Sequence, residues 1–327
     1  VIGGLLKNFD SNYRLGRGRF VVIEGDEYDT AFFDKGPKFL HYRPAATVLT
    51  SIEFDHADIY RDLDHVKSAF RSLVEGPARE GLLVAYDRDA AIDAVIAGAD
   101  GPVQRYGGGA GADWRLGPVT MDPPWTTFEV SGPGGPFGRF RTRLIGRHNL
   151  MNALAAVAVA DRMGVPAAGV GAALESFEGV KRRQEIRGEK RGIVVMDDFA
   201  HHPTAVRETI AAVRSSYPGR RLVVVFEPRT NSSMRKVFQP VYPLSFDDAD
   251  LICIRRPSML EKVPPADRFS AEGLVAELQR RGKAALFFPT TEGIIDHIVA
   301  NGRSGDVVLI MSNGGFDNIH ERLLGSL

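Results

Sequence analysis

The carboxylates of this 327-residue chain are most concentrated in two short segments, each following a run rich in β-branched residues. Residues 20–23 run into Glu24, Asp26, Glu27 and Asp29; residues 47–52 run into Glu53, Asp55, His56 and Asp58. Carboxylates this close repel one another unless a cation lies among them, and an oxygen-rich site suits Mg²⁺ held together with phosphates. Glu24, at a strand end, and His56, flanked by acids, are the candidate metal ligands. The plainer alternative makes the acids N-caps and first-turn residues of the following helices, a role that suits Asp26, Glu27, Asp58 and Asp62.

Other segments offer hydrogen bonding and proton transfer. Gly146-Arg147-His148-Asn149, then Asn152, opens an alanine-rich stretch. Asn149 and Asn152 are three apart, so they share a helix face and could present amides to one base or peptide; Asn149 could also simply cap the helix. Further on, residues 193–196 lead into Asp197-Asp198-Phe199-Ala200-His201-His202-Pro203. Loop histidines beside carboxylates suit proton transfer, phosphate contact or metal binding. The next apolar run ends in Glu227-Pro228-Arg229, which places Arg229 on the same rim. Ser312-Asn313-Gly314-Gly315 is either a nest of backbone N–H groups for an anion or an ordinary glycine turn.

Some familiar motifs are absent from these residues: G-x-x-x-x-G-K-[ST], H-E-x-x-H and G-x-S-x-G do not occur. Gly107-x-Gly109-x-x-Ala112 matches a dinucleotide fingerprint by letters, but Trp114-Arg115-Leu116 and Pro118 follow it in place of a helix.

Positioning these groups falls to short apolar runs that alternate with helical patterns, the signature of a mostly parallel sheet covered by helices. Strands are predicted over 20–23, 47–52, 81–85, 193–196, 222–226, 251–254, 285–288 and 307–311, and helices over 63–74, 149–163, 204–213 and 271–281. In such a sheet the acidic clusters and the histidine loop fall at the carboxyl edge, where ligands of open α/β folds bind. Between residues 102 and 145, Gly and Pro cluster around short alternating runs, which predicts a small antiparallel insertion. The charged stretch 181–191 reads as a break before a fresh βα series. Two domains follow, 1–181 and 182–327.

The 41 Lys+Arg balance 41 Asp+Glu, which removes the electrostatic case for a nucleic-acid or anionic-membrane partner. A single cysteine, Cys253, excludes an internal disulfide and a cysteine-based zinc site and suits a reducing, cytoplasmic setting. No apolar stretch approaches the roughly 20 residues of a membrane span.

The segments IEGDEYDTAFFD, SIEFDHADIY, GRHNLMNALAAVAVA, FEGVKRRQEIRG, VMDDFAHHPTAV and MSNGG, in this order over nearly the whole chain, resemble the Mur ligase family, ATP-dependent amide-bond ligases of bacterial cell-wall synthesis. DEYDTAFFDKGPKFLHYRP and EPRTNSSM look more like the branch that joins UDP-N-acetylmuramate to the L-Ala-γ-D-Glu-meso-diaminopimelate tripeptide than the branch that adds L-alanine. The resemblance implies a central ATP-binding domain, incomplete at its start, followed by a Rossmann-like C-terminal domain. It also implies an N-terminal UDP-binding domain and a first βα unit with the phosphate loop outside these residues, on the order of 100 residues or more.

By the same resemblance the cofactors are ATP and Mg²⁺, and the partners are UDP-N-acetylmuramate and the murein tripeptide. Glu24 and His56 match the Mg²⁺ ligands; His148, Asn149 and Asn152 match the adenine-contacting motif. Arg183 matches a hinge arginine that approaches the nucleotide phosphates, with Gln184 where an aromatic residue is usual. Asp198 and His201 match the loop that closes over the γ-phosphate and the incoming amine, with Phe199 in place of the commoner tyrosine. Phe70-Arg71-Ser72 offers no lysine for the carbamylation found in some branches. The implied reaction runs through an acyl phosphate. Its alternatives are an L-alanine ligase, a metal-dependent hydrolase, or a fragment that keeps part of a binding site and is inactive alone.

Overall fold

Strands and helices alternate as predicted, and they divide between two units, Val1–Gly179 and Val180–Leu327, in a computed structural model that describes residues 1–327. The first unit opens with a ribbon of β1 (Asp29–Ala31) and β2 (Asp34–Pro37). Then come β3 (Ala46–Leu49), α1 (Leu63–Glu75), β4 (Leu82–Tyr86), α2 (Ala90–Ile96), β5 (Val103–Gly107), β6 (Trp114–Asp122), β7 (Trp125–Gly132), β8 (Gly135–Thr142), α3 (Arg147–Arg162) and α4 (Ala167–Ser176).

Strands β3 to β8 form one six-stranded sheet in chain order, parallel from β3 to β6 and antiparallel from β6 to β8. Along β4 the side chains alternate as a pleated strand requires. Leu82 and Val84 join the cluster under α3, while Leu83 and Ala85 join the cluster with Val66, Leu73, Ile92 and Val95 of α1 and α2. The Gly- and Pro-rich segment is antiparallel as predicted, and its strands extend the main sheet. Trp114, Phe128, Val130 and Phe140 lie in one core with Leu150, Leu154 and Val157 of α3, which holds the antiparallel strands on the same face.

Residues 20–23 are not a strand. Val21 and Val22 are 77% and 79% exposed, and the segment's links are the Val1 ammonium to the Val22 carbonyl and the Glu24 N–H to the Val1 carbonyl. A β-branched run supplies propensity, but a strand also needs a neighbour to complete its ladder. β3 likewise stops at Leu49, and the Ile52 N–H goes to the Asp89 carboxylate instead. Asp62 caps α1 as foreseen, but Asp26 and Glu27 pair with Lys38 and His56 rather than with a helix end.

The second unit contains β9 (Glu185–Lys190), β10 (Ile193–Asp198), α5 (Pro203–Ser216), β11 (Leu222–Phe226), β12 (Leu251–Arg255), α6 (Ala271–Arg280), β13 (Ala285–Phe288), α7 (Thr291–Asn301), β14 (Val307–Met311) and α8 (Ile319–Ser326). The strand order is β13-β12-β11-β14-β10-β9, all parallel except β9, which pairs antiparallel with β10. Within the charged stretch 181–191, which follows the division between the units, Glu185–Lys190 is an edge strand; its charges keep the open edge wet, which edge strands require. β10, β11 and β14 are buried throughout, the reason they read as unbroken apolar runs. Strand order reverses around β14, so the carboxyl ends of β10, β14 and β11 form the usual ligand edge. Cys253 lies inside β12, its thiol pushed up to about 12 by burial, which makes it unreactive. No helix is long and apolar enough to cross a membrane.

Candidate active site

β10 delivers Asp197 and Asp198 to this edge, each 2% exposed. The Asp198 carboxylate turns inward: one oxygen accepts the Ala200 N–H at 2.7 Å and the Thr209 hydroxyl at 3.5 Å, and the other accepts the Gln184 N–H at 2.8 Å. Burial lifts its pKa above the ordinary carboxylate value, against the pull of those amides and of Arg183. Asp198 therefore ties the loop after β10 to the segment before β9.

The adjacent histidines have different surroundings. His202 Nδ1 accepts the Thr204 N–H at 3.4 Å, capping α5 ahead of Pro203, and its ring packs edge-on against Phe238. His201 lies with Nδ1 3.0 Å from the Phe199 carbonyl and its ring edge-on to Phe199, while its own carbonyl accepts the Tyr242 hydroxyl at 2.5 Å. His202 serves the helix, which leaves His201 as the candidate for substrate contact. The guanidinium carbons of Arg182 and Arg183 lie 5.1 and 5.4 Å from the Phe199 ring centre; Arg183 is the exposed one.

From β11 comes buried Glu227, which accepts the Ser312 hydroxyl at 2.9 Å and lies 3.9 Å from an Arg229 nitrogen. Burial raises the Glu227 pKa; Ser312 and Arg229 oppose that shift. After β14, the Gly314 N–H is taken by the Ser312 hydroxyl at 3.0 Å, and Arg182 takes the carbonyls of Ser312 and Gly314. Within 312–315 the Gly314 N–H is thus taken inside the turn and not left open to an anion. Phe316, Asp317 and Asn318 follow with φ of 45°, 50° and 54°, a left-handed turn that glycine-free sequences rarely adopt.

In the first unit, exposed Glu24 accepts the Gly3 N–H at 2.5 Å. His56 Nε2 lies 3.2 Å from a Glu27 oxygen, and its ring meets Tyr28 at 5.2 Å. The hydrogen bond that His56 donates to Glu27 raises the His56 pKa; burial opposes it, and Asp55, Glu27 and Asp58 add their charge. Glu27, not Glu24, is the partner of His56. No three His, Cys, Asp or Glu side chains converge on one point. Oxygen donors suit a hard cation, but Glu24 and His56 do not form a coordination shell, so no step below is derived through a metal.

The α3 start carries the remaining candidates. Gly146, at φ 91°, is its N-cap, and Asn149 reaches back one turn to donate to the Ile145 carbonyl at 2.8 Å. His148 is half-buried and Asn152 is exposed. Two residues not singled out in the sequence border the glycines after β5: Arg88 donates to the Gly108 carbonyl at 3.2 Å, and Asp87 accepts the Gly109 N–H at 2.6 Å. The three consecutive glycines were the available signal, since at φ 154° Gly107 presses on the Asp87 carboxylate and has no room for a side chain.

Residues 9–160 match the family profile described as Mur ligase middle domain, and residues 182–314 match Mur ligase, glutamate ligase domain. The chain is 37% identical over 328 positions to UDP-N-acetylmuramate--L-alanyl-gamma-D-glutamyl-meso-2,6-diaminoheptandioate ligase of Escherichia coli (strain K12), covering 100% of this chain and 69% of that protein. It is 35% identical to UDP-N-acetylmuramate--L-alanine ligase of Desulfatibacillum aliphaticivorans, covering 100% and 70%. The crystal structure of a murein peptide ligase from Psychrobacter arcticus 273-4 superposes with a TM-score of 0.65 at 33% identity, covering 93% of this chain and 62% of that one. The chain thus spans about two thirds of the length of these relatives.

Proposed function

The chain belongs to the Mur ligase family, whose members are ATP-dependent amide ligases, and from that premise we propose that the natural protein joins UDP-N-acetylmuramate to L-Ala-γ-D-Glu-meso-diaminopimelate in peptidoglycan recycling. Residues 1–181 are the ATP-handling central domain and residues 182–327 the C-terminal domain. The observation that carries the choice of tripeptide is the 37% identity, over the whole chain, to the E. coli tripeptide ligase. The 35% identity to an L-alanine ligase makes L-alanine the second acceptor to test.

In the proposed reaction the muramate carboxylate attacks the γ-phosphorus of ATP, forming an acyl O–P bond as the bond to ADP breaks. The acceptor's amino group then adds to the acyl carbon, loses a proton, and expels inorganic phosphate as the amide forms. Such transfer depends mainly on positioning and charge neutralisation. Arg183 and Arg229 would neutralise phosphate charge, and His201 would take the amine proton. Asp198 would act through the Ala200 amide, holding the His201 loop. His148, Asn149 and Asn152 would meet the adenine. Glu24 and His56 are engaged by Gly3 and Glu27 and take no part in the steps proposed.

Product formation from UDP-N-acetylmuramate with each acceptor, with and without ATP, tests the proposal. The tripeptide should be ligated only with ATP. Preference for L-alanine, or turnover without ATP, would reject it.

A further inference from the structure

Arg182 and Asp197 have no role in the reaction as set out above, yet Arg182 bonds to the segments that follow both β10 and β14 on the second unit's rim. Arg182 holds φ 60°, a left-handed conformation that L-residues seldom adopt. Its N–H donates to a Glu185 carboxylate oxygen at 2.8 Å, and its carbonyl accepts the Phe199 N–H at 2.8 Å. One guanidinium nitrogen, Nη2, donates to both the Ser312 carbonyl at 2.5 Å and the Gly314 carbonyl at 2.8 Å. Its Nε faces Asp197 Oδ1 at 3.4 Å.

Asp197 is buried at the end of β10, where its other oxygen accepts Arg187 Nη1 at 3.2 Å. A carboxylate this buried is tolerated only with cationic partners, and here two arginines supply them. The consequence spreads along the rim. Gly314 lies against the Arg229 side chain, and Phe199 lies under Arg183 and beside His201.

The geometry points to Arg182 as a positioning residue, with Asp197 as its buried counter-ion, that locks the 312–314 turn onto the Phe199 loop and so fixes where Arg229 and His201 stand. The catalytic half of this inference rests on the ligase reading; the mechanical half does not. Lysine at 182 would keep the charge, but its compact ammonium lacks the planar fork that spans both carbonyls and Asp197. Asparagine at 197 would keep the shape and leave the Arg182 guanidinium without its counter-charge, while Arg187 keeps Glu321.

Arg182→Lys and Asp197→Asn in the natural protein are the test, read by amide hydrogen exchange and by steady-state kinetics. In Arg182→Lys, exchange at 312–315 should quicken by about tenfold or more, the factor for one lost charge-assisted hydrogen bond, while β10 to β12 stay as protected as before. The kcat should fall about 100-fold, the scale of a 1 Å misplacement, with KM for ATP unchanged, and Asp197→Asn should follow the same pattern. Exchange that is unaltered at 312–315, or raised evenly across the unit, would overturn the lock. Local loosening with an unchanged kcat would overturn its part in catalysis. Wild-type protein that forms no product would instead overturn the ligase reading and with it the catalytic half, and the exchange data would still decide the lock.

Discussion

Gly314 lies directly beneath the side chain of Arg229: a β-carbon on Gly314 would collide with Arg229 Cδ, Nε and Cζ. Glycine is favoured there by a close approach and not by its φ, so the position reports on Arg229 rather than on the backbone. Gly314→Ala should expel the arginine and lower ligation about 100-fold, the scale for losing one charge-stabilising donor. Arg229→Ala should lose as much, and the double variant no more than either. Additive losses in that cycle would show that Gly314 acts by another route.

Asp198 is tied inward to the Ala200 and Gln184 amides, so its removal should be felt in the fold as well as in the reaction. Asp198→Ala leaves the Ala200 and Gln184 amides and the Thr209 hydroxyl without this acceptor and should cost about 1–3 kcal/mol in urea unfolding, together with most of the ligation rate. Asp198→Asn, which keeps an acceptor oxygen, should recover much of the stability. Equal losses for the two variants would contradict the positioning role.

The neighbouring histidines should separate cleanly. His202→Ala removes a long cap bond and should cost about 0.5–1 kcal/mol with little effect on ligation. His201→Ala should leave thermal stability nearly unchanged and slow ligation about 100-fold or more. The opposite pattern would exchange their roles.

His320 supplies a pH prediction. Burial lowers its pKa from the ordinary 6.5, with Arg187 and Arg182 acting in the same direction and Asp197 and Glu321 opposing. A lowered folded-state value means that the unfolded chain binds the proton first as pH falls. The contribution of His320 is thus complete above pH 6.5 and is lost as pH drops below it. Buried Asp198 and Glu227, with raised values, favour the folded state in the opposite direction as pH falls. Urea titrations at falling pH should therefore show wild type losing ground to His320→Gln on acidification. A gap between the two that stays constant with pH would refute this.

Much of this architecture was legible because burial on both faces leaves a plain record. β10, β11 and β14 are unbroken apolar runs, and their polar successors Asp198, Glu227 and Ser312 mark the ligand edge. Pairing was less legible. Val21 and Val22 have strand composition with no sheet neighbour, while Glu185–Lys190 has the charges of a linker and pairs as an edge strand. Roles within doublets were legible only through the family resemblance and not from local composition. Phe238 and Thr204 distinguish His202 from His201, and the carbonyls of Ser312 and Gly314 distinguish Arg182 from Arg183. Each distinction depends on tertiary contacts that local composition does not contain.

The most direct test of the account follows a labelled oxygen. UDP-N-acetylmuramate carrying ¹⁸O in its muramate carboxylate, incubated with ATP, the tripeptide and the natural protein, should transfer one ¹⁸O to the inorganic phosphate for each amide formed. Amide formation with unlabelled phosphate would contradict an acyl-phosphate ligase.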